Sequence, residues 1–499
     1  MLNRQFTGVD SLLCGRPDRL LLSSGQVGDA LLAGNVQRLA DGLSRAGIRR
    51  IASRLDNGLE WMTLDLAVQA VGGVHVPIPT FFSEQQTRHA LADSGAQGVI
   101  STMSWSGPPM AGSTATPLPG IESVLWRLPE SPEPDLPAGT ACVTYTSGST
   151  GQPKGVCLSA STLWAVADSL AGAAETIRPR RHLCLMPLST LLENVAGLYA
   201  TLLSDAQIAL PSLAEIGYTG ASGLDVPMLL RCLHRYQPES VILFPQLLMA
   251  LVTAAEHGAP LPASLRYLAV GGGRVTPTLL ARTQSLGLPV FEGYGLTECA
   301  SVVCLNRPDA QRAGTVGRPL PHASLKVEQG EIVVDGVRAL GYLGNEHLPS
   351  GPIRTGDLGS IDADGFVTIT GRRRNVFITA FGRNVSPEWV ESELTAHPLI
   401  AQAMVWGEAQ ADNVAVLILR RPDASDHDIR RALAEVNRGL PDYARVARWI
   451  CVAQPFSAAC GLLTANGRLR REAILARYQA RIDECYRTFA PLSSNGVIP

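Results

Sequence analysis

At about 100–200 residues per domain, the 499 residues of this chain allow about two to four structural units, and 46% apolar residues are enough to fill their cores. A net charge of −2, with no basic stripe interleaved with aromatics, argues against a nucleic-acid partner. The ten cysteines are scattered with no Cys-x-x-Cys pair, which speaks against a zinc ribbon or redox motif and for reduced thiols in the cytoplasm.

No apolar stretch follows a basic start at the N-terminus, so a signal peptide is not expected. Residues 35–47 carry an amphipathic helix pattern that ends at a glycine, and 71–79 read as a short strand after a glycine turn. Residues 91–100 take a helix end into another strand. Alternation of this kind predicts α/β layers. From 104 to 139 Pro, Ser and Gly dominate, and the segment is expected to be an exposed connection. The basic cluster at 178–181 and the adjacent His182 are expected to be solvated. The apolar run from Val241 spans 15 residues and contains Pro245, short of a membrane span of ~20 residues. It predicts a core helix or the wall of an apolar pocket. No transmembrane segment is expected, and contact with a membrane surface stays open. Residues 324–370 are β-rich, with Asp364-Gly365 marking a hairpin. From about 374 onward the pattern suits a separate small α+β unit.

Three segments carry chemistry. TYTSGSTGQPKGV, from Thr144 to Val156, concentrates hydroxyls, glycines and one lysine behind a strand-like run. Glycines let backbone N–H groups converge on an anion, hydroxyls add donors, and Lys154 adds charge. Pro153 stands where a Walker A loop needs glycine, so the loop is a different phosphate cradle. EGYGLTE, from Glu292 to Glu298, offers an aromatic face for a planar group and a carboxylate for Mg²⁺ beside phosphates. By itself it fits a turn with a buried tyrosine equally well. RTGDLGSIDADGFVTITGRRRN, from Arg354, sets Asp357 and Arg372 on either side of a hairpin. A carboxylate there can accept from two ribose hydroxyls and an arginine can pair with phosphate, although a surface ion pair would look alike.

In this order the three segments resemble the adenylate-forming superfamily, the AMP-binding enzymes that include acyl- and aryl-CoA synthetases, from about Val71 to Arg471. PLSTLLENVAGLY from Pro187 and GLLTANGRLRR from Gly461 look most like its long-chain acyl-CoA synthetase branch. The resemblance implies an α/β fold. A large N-terminal domain, residues 1–373, would hold two α/β subdomains plus a β-barrel. A small mobile α+β C-terminal domain, residues 374–499, would follow. It implies ATP and Mg²⁺ as cofactors, a lipophilic carboxylic acid as substrate, and CoA or the phosphopantetheine of an acyl carrier protein as acceptor. By similarity Thr146, Ser147, Gly148, Ser149, Thr150, Gly151 and Lys154 hold the β- and γ-phosphates. Tyr294 lies against adenine with Gly271, Gly272 and Gly273 as another wall. Thr297 contacts the α-phosphate, Glu298 holds Mg²⁺, Asp357 and Arg372 hold the ribose, and Gly382 lines the pantetheine path.

The sequence departs from the family pattern at three places. Arg468 stands where relatives carry a lysine that bridges substrate carboxylate and α-phosphate. The hinge position holds Arg374. Ser189-Thr190 replaces an aromatic–histidine pair at the acyl pocket. The arginine leaves a second function class in view, a non-catalytic acyl- and nucleotide-binding protein. A dinucleotide oxidoreductase is excluded, because the glycines at 271–273 lack Gly-x-Gly-x-x-Gly spacing and its ribose-binding acid.

Overall fold

The computed structural model describes residues 12–13, 15–105, 115–129, 134–146, 154–219, 223–344, 348, 351–464 and 467–488. Two large sheets form within the first 342 residues. One has eight strands, with the parallel set Gly98–Ser101, Arg50–Arg54, Val74–Pro77 and Thr140–Thr146 at its centre. Lys154–Ser159 pairs antiparallel with Thr140–Thr146, and Gly341–Tyr342 forms the edge beyond it. The other has nine strands, and its parallel run Arg181–Leu183, Ser240–Leu243, Tyr267–Val270 and Val290–Leu296 carries buried side chains on both faces, as parallel strands covered by helices require.

The expected helix at 35–47 is the later part of Asp29–Ala46, stopped by Gly47 in the left-handed region at φ 68°. The apolar run from Val241 divides in two. Ser240–Leu243 is a buried strand, and Pro245 opens the helix Pro245–Glu256 at its first turn, where a missing N–H costs nothing. The 104–139 stretch is more than a connection. Ala115–Pro117 and Val124–Arg127 add two edge strands, because Val124 and Leu125 are buried against the sheet. Ala323–Glu328, Glu331–Gly336, Ile353–Ile361 and Val367–Arg372 form a four-stranded antiparallel sheet, in which Gly365, at φ 82°, turns the chain between the last two.

The last 110 or so described residues make their own layers. A three-stranded sheet, Ile400–Trp406, Asn413–Leu419 and Val446–Cys451, is covered by the helices Pro387–Ala396, Asp426–Asn437 and Arg471–Thr488. The two apolar clusters of this unit contain no residue before Phe377. No helix among the described residues is long and apolar enough to cross a membrane.

A buried polar network ties the two large sheets together. His75 Nδ1 donates to Asp65 at 2.7 Å, so its Nε2 accepts from the Ser53 hydroxyl at 2.8 Å. Tyr199 donates to the second Asp65 oxygen at 2.6 Å, and Gln69 donates to Tyr199 at 2.7 Å while accepting from Trp164. The Ser–His–Asp order invites comparison with a hydrolytic triad, but Ser53, His75 and Asp65 are at most 3% exposed and do not line the large cleft described below. The network is a brace, not a nucleophile. Asp65→Ala would leave His75 and Tyr199 without their buried acceptor, and is expected to lower unfolding free energy by about 3 kcal/mol, measured by urea denaturation. Asp65→Asn, which keeps one acceptor, should lose less.

Candidate active site

A cleft of about 3100 Å³ runs between the two large sheets, the four-stranded sheet and the C-terminal unit. Its central wall is a hairpin. Val290–Leu296 enters as a parallel strand through Glu292, then leaves that pairing and binds antiparallel to Ser301–Leu305 with an irregularity at Tyr294/Gly295. A single 3₁₀ turn, Thr297–Cys299, closes it. Ala300 and Ser301 follow at φ 55° and 102°, a left-handed pair of non-glycine residues. Such backbone is costly and persists only where its surroundings over-determine it. Gly295 is required here, because a Cβ would sit 1.6 Å from the Ser301 carbonyl oxygen. The hairpin presents Tyr294, Thr297 and Glu298, all partly buried, to the cleft.

Asp357 and Arg372 are direct cross-strand partners. Arg372 Nε lies 2.7 Å from Asp357 Oδ1, and Tyr294 Oη donates to Asp357 Oδ2 at 2.5 Å. Arg372 also donates to the Thr355 carbonyl, and the Thr355 hydroxyl accepts from the Asp357 N–H. Burial raises the pKa of the Asp357 carboxyl, while Arg372, the Tyr294 hydroxyl and Arg468 pull it down. Each Asp357 oxygen has one partner and a second lone pair to offer. Burial, helped by Asp357, raises the Tyr294 phenol well above its usual range, so it stays a donor.

Arg468 enters from the C-terminal unit. Thr464 N–H donates to the Arg468 carbonyl at 2.7 Å, Arg468 N–H donates to the Thr464 hydroxyl at 3.1 Å, and Gly467 takes φ +74°. This tight turn aims the side chain into the cleft. Arg468 lines the cleft while remaining exposed, and the charged groups around it act on its proton affinity. Desolvation, then Arg372, lowers its pKa; Asp357 raises it, Arg374 lowers it and Glu298 raises it. Two carboxyls and two further guanidiniums, from three separate parts of the chain, therefore act on one side chain.

Glu298 is held by Tyr342, whose hydroxyl donates to Oε1 at 2.9 Å. Lys154 Nζ stands 5.6 Å from the centre of the same ring. Gly271, Gly272 and Gly273 follow Tyr267–Val270 and line the cleft; Gly272 has φ +76°, and a Cβ there would meet the Phe244 ring at 2.7 Å. Ser147, Gly148, Ser149, Thr150 and Gly151 lie outside the described residues, as does the Thr146 side chain.

The structure thus gathers Lys154, the three glycines, Tyr294, Thr297, Glu298, Asp357, Arg372 and Arg468 around one cleft. Gly382 is elsewhere. It sits at φ +71° in the hairpin between Phe377–Ile378 and Asn384–Val385, beside the exposed Phe381, and does not line the cleft. His182 corrects the sequence expectation. It is buried on the strand Arg181–Leu183, with Nδ1 at 2.9 Å from the Ser240 hydroxyl and Nε2 at 3.1 Å from Glu193. Strand alternation beside the basic loop turns it inward, against Gly197, where a Cβ would strike both His182 and Glu193. Tyr342 was missed altogether; its only signal was an aromatic between glycines in GYLG.

The sequence matches the family model described as AMP-binding enzyme over residues 30–343, and the AMP-binding enzyme C-terminal domain over 374–490. It is 30% identical to a feruloyl-CoA synthase of Amycolatopsis, covering 76% of this chain and 81% of that protein. It is 27% identical to a long-chain-fatty-acid–CoA ligase of Mycobacterium bovis, covering 91% of each. The o-succinylbenzoate CoA synthetase of Bacillus subtilis, solved with its acyl-adenylate, superposes with a TM-score of 0.74 at 24% identity, over 92% of this chain and 95% of that one.

The hairpin also carries a titrating group. Burial pushes the Glu292 carboxyl up to about 7, against Arg274 and the Gly314 N–H. A carboxyl raised in the folded state favours folding fully below its unfolded pKa, and that contribution is lost as pH rises through about 7. Glu292→Gln should therefore match wild type near pH 4.5 and gain on it by up to about 3 kcal/mol by pH 8. Thermal unfolding of both proteins across that range checks the sign, and a constant gap would contradict it.

Proposed function

The chain belongs to the AMP-binding enzyme family, and from that premise we propose that it activates a fatty or other lipophilic acid. It is an adenylate-forming acid–thiol ligase that uses ATP and Mg²⁺, with CoA as acceptor in its relatives. The observation that carries the residue assignment is Arg468 of the C-terminal unit reaching the same cleft as Glu298, Asp357 and Arg372.

In this proposal the chain divides into residues 1–373 and 374–499, with Arg374 at the junction. The segment from Thr146 to Gly151 and Lys154 hold the β- and γ-phosphates. Gly271, Gly272, Gly273 and Tyr294 enclose the adenine. Asp357 and Arg372 take the ribose hydroxyls, and Thr297 meets the α-phosphate. Glu298 suits Mg²⁺, a hard cation that prefers carboxylate oxygen and phosphate, because one of its oxygens is held and the other is available. The ion would offset phosphate charge.

The first half-reaction joins two anions. The substrate carboxylate oxygen attacks the α-phosphorus, and the bond to the β-phosphate oxygen breaks to release pyrophosphate. Arg468 spans carboxylate and α-phosphate, and a guanidinium stays charged and can bind both at once. The acyl-AMP is a mixed anhydride. In the second half-reaction a thiolate attacks the acyl carbon and AMP leaves. Gly382 then lines the path of the pantetheine arm, whether CoA or a carrier protein supplies it.

Support for a lipophilic acid comes from the walls. Leu192, Ala196, Ile242, Phe244 and Ala269 line the cleft beside Gly271, and Ser189-Thr190 is smaller than the family's aromatic–histidine pair. The relatives' acids include a long-chain fatty acid and an aromatic one. The reading as a binding protein rests on Arg468 alone, and its placement in the cleft weighs against that.

Pyrophosphate release should be seen with fatty or aryl acids, and Ala196→Phe should cut kcat/KM for long acids at least about tenfold, the effect of about 1.4 kcal/mol, while sparing short ones. An unchanged chain-length profile would place the acyl group elsewhere. Arg468→Ala should reduce acyl-AMP formation by orders of magnitude and leave transfer from pre-formed acyl-AMP nearly intact, with Arg468→Lys as active as wild type or more so. If wild type forms no acyl-AMP from any acid while Arg468→Lys does, the binding-protein reading holds.

A further inference from the structure

Tyr342 has no role in the assignments above, yet it touches two residues that do. Gly341–Tyr342 is the edge strand beside Lys154–Ser159, with Tyr342 opposite Val156. Main-chain bonds fix it on both sides, from Leu340 N–H to the Cys157 carbonyl and from Leu343 N–H to the Gly155 carbonyl, at 2.9 and 3.0 Å. Gly155 has no side chain for a reason: a Cβ there would sit 2.4 Å from Leu343 Cδ1. The same short segment grips Glu298 twice. Ala339 N–H donates to the Glu298 carbonyl at 2.7 Å, and Tyr342 Oη donates to Oε1 at 2.9 Å. The ring presents its face toward Lys154 Nζ at 5.6 Å. One tyrosine on the eight-stranded sheet therefore faces both a cation on its own sheet and a carboxylate on the hairpin of the nine-stranded sheet.

We propose that Tyr342 is a positioning residue that orients Glu298 for Mg²⁺ and holds Lys154 alongside, so that carboxylate and ammonium meet MgATP already aligned. This rests on the assignment of Glu298 to the metal. A free glutamate side chain samples many rotamers, and fixing one oxygen beforehand removes that freedom before the ion arrives. The phenol occupies one lone pair of Oε1 and leaves Oε2 for the cation. Outer partners of this kind set metal affinity without touching the metal. The aromatic face offers Lys154 an attraction that a carboxylate could not supply without neutralising it.

The test is calorimetric titration of ATP at a series of Mg²⁺ concentrations. Tyr342→Phe keeps the ring and loses the hydroxyl. It is expected to raise the Mg²⁺ concentration for half-maximal ATP affinity about tenfold, with ATP affinity at saturating Mg²⁺ and Tm unchanged. Tyr342→Leu should weaken ATP binding even at saturating Mg²⁺, because the face next to Lys154 is gone. In a Glu298→Gln background, Tyr342→Phe should add nothing to the Mg²⁺ dependence. If Glu298→Gln shifts the Mg²⁺ dependence and Tyr342→Phe does not, the proposal for Tyr342 fails and the metal assignment stands. If Glu298→Gln shifts nothing, both fall. A Tyr342→Phe protein with lower Tm and weaker ATP binding at every Mg²⁺ concentration would show a structural hydroxyl and overturn the proposal.

Discussion

On the proposed assignment two anions have to meet in this cleft, and much of its construction suits that repulsion. A carboxylate approaching a phosphate needs preorganised positive charge and donors, because free side chains would have to reorganise at the moment of reaction. The protein meets the constraint by fixing each charged side chain to a partner. Arg372 is tied to Asp357, Glu298 to Tyr342, and Arg468 is held by its turn within reach of all of these except the tyrosine. Desolvation first, and then the neighbouring Arg372 and Arg374, lower the Arg468 pKa, and a bound polyanion would offset that repulsion.

The backbone bears the complementary cost. Val290–Leu296 begins as a parallel strand whose side chains are buried, and only past its change to antiparallel pairing do Tyr294 and, on the turn that follows, Glu298 line the cleft. The exit takes a register shift, a glycine pressed against a carbonyl, and two non-glycine residues at positive φ. Such backbone needs rigid surroundings, and the buried Asp65–His75–Tyr199 network and the segment 339–343 supply them from the neighbouring sheet.

Much of this was legible in the chain itself, for identifiable reasons. Turn chemistry placed the Asp364-Gly365 hairpin, and that hairpin sets Asp357 opposite Arg372. A glycine turn followed by a strand pattern placed Val74–Pro77. What escaped were contacts between elements far apart in sequence. Tyr342 lies 44 residues from Glu298, and no periodicity links them. His182 looked solvated because it follows three arginines, but one residue of strand alternation turned it toward Ser240 and Glu193. The edge strands near 115–127 were hidden by proline, serine and glycine, since short edge strands tolerate such composition.

Arg468 and Gly382 belong to the same small unit, and only Arg468 reaches the cleft. The apolar cores of that unit are its own, and contacts such as Arg274 over the Trp389 ring and Thr278 with Glu393 join it to the rest of the chain. If Gly382 is to line the path of a thiol arriving at acyl-AMP, the unit has to turn about the link near Arg374, and Arg468 has to leave as Gly382 enters. That link is short and polar: the Asn375 and Val376 N–H groups donate back to the Arg372 carbonyl, while Arg373 N–H donates to the Gly356 carbonyl of the four-stranded sheet. On the proposed assignment, a residue that spans carboxylate and α-phosphate in the first half-reaction has to withdraw before the thiol arrives, and an arginine, longer than a lysine, would do so from a unit closed less tightly.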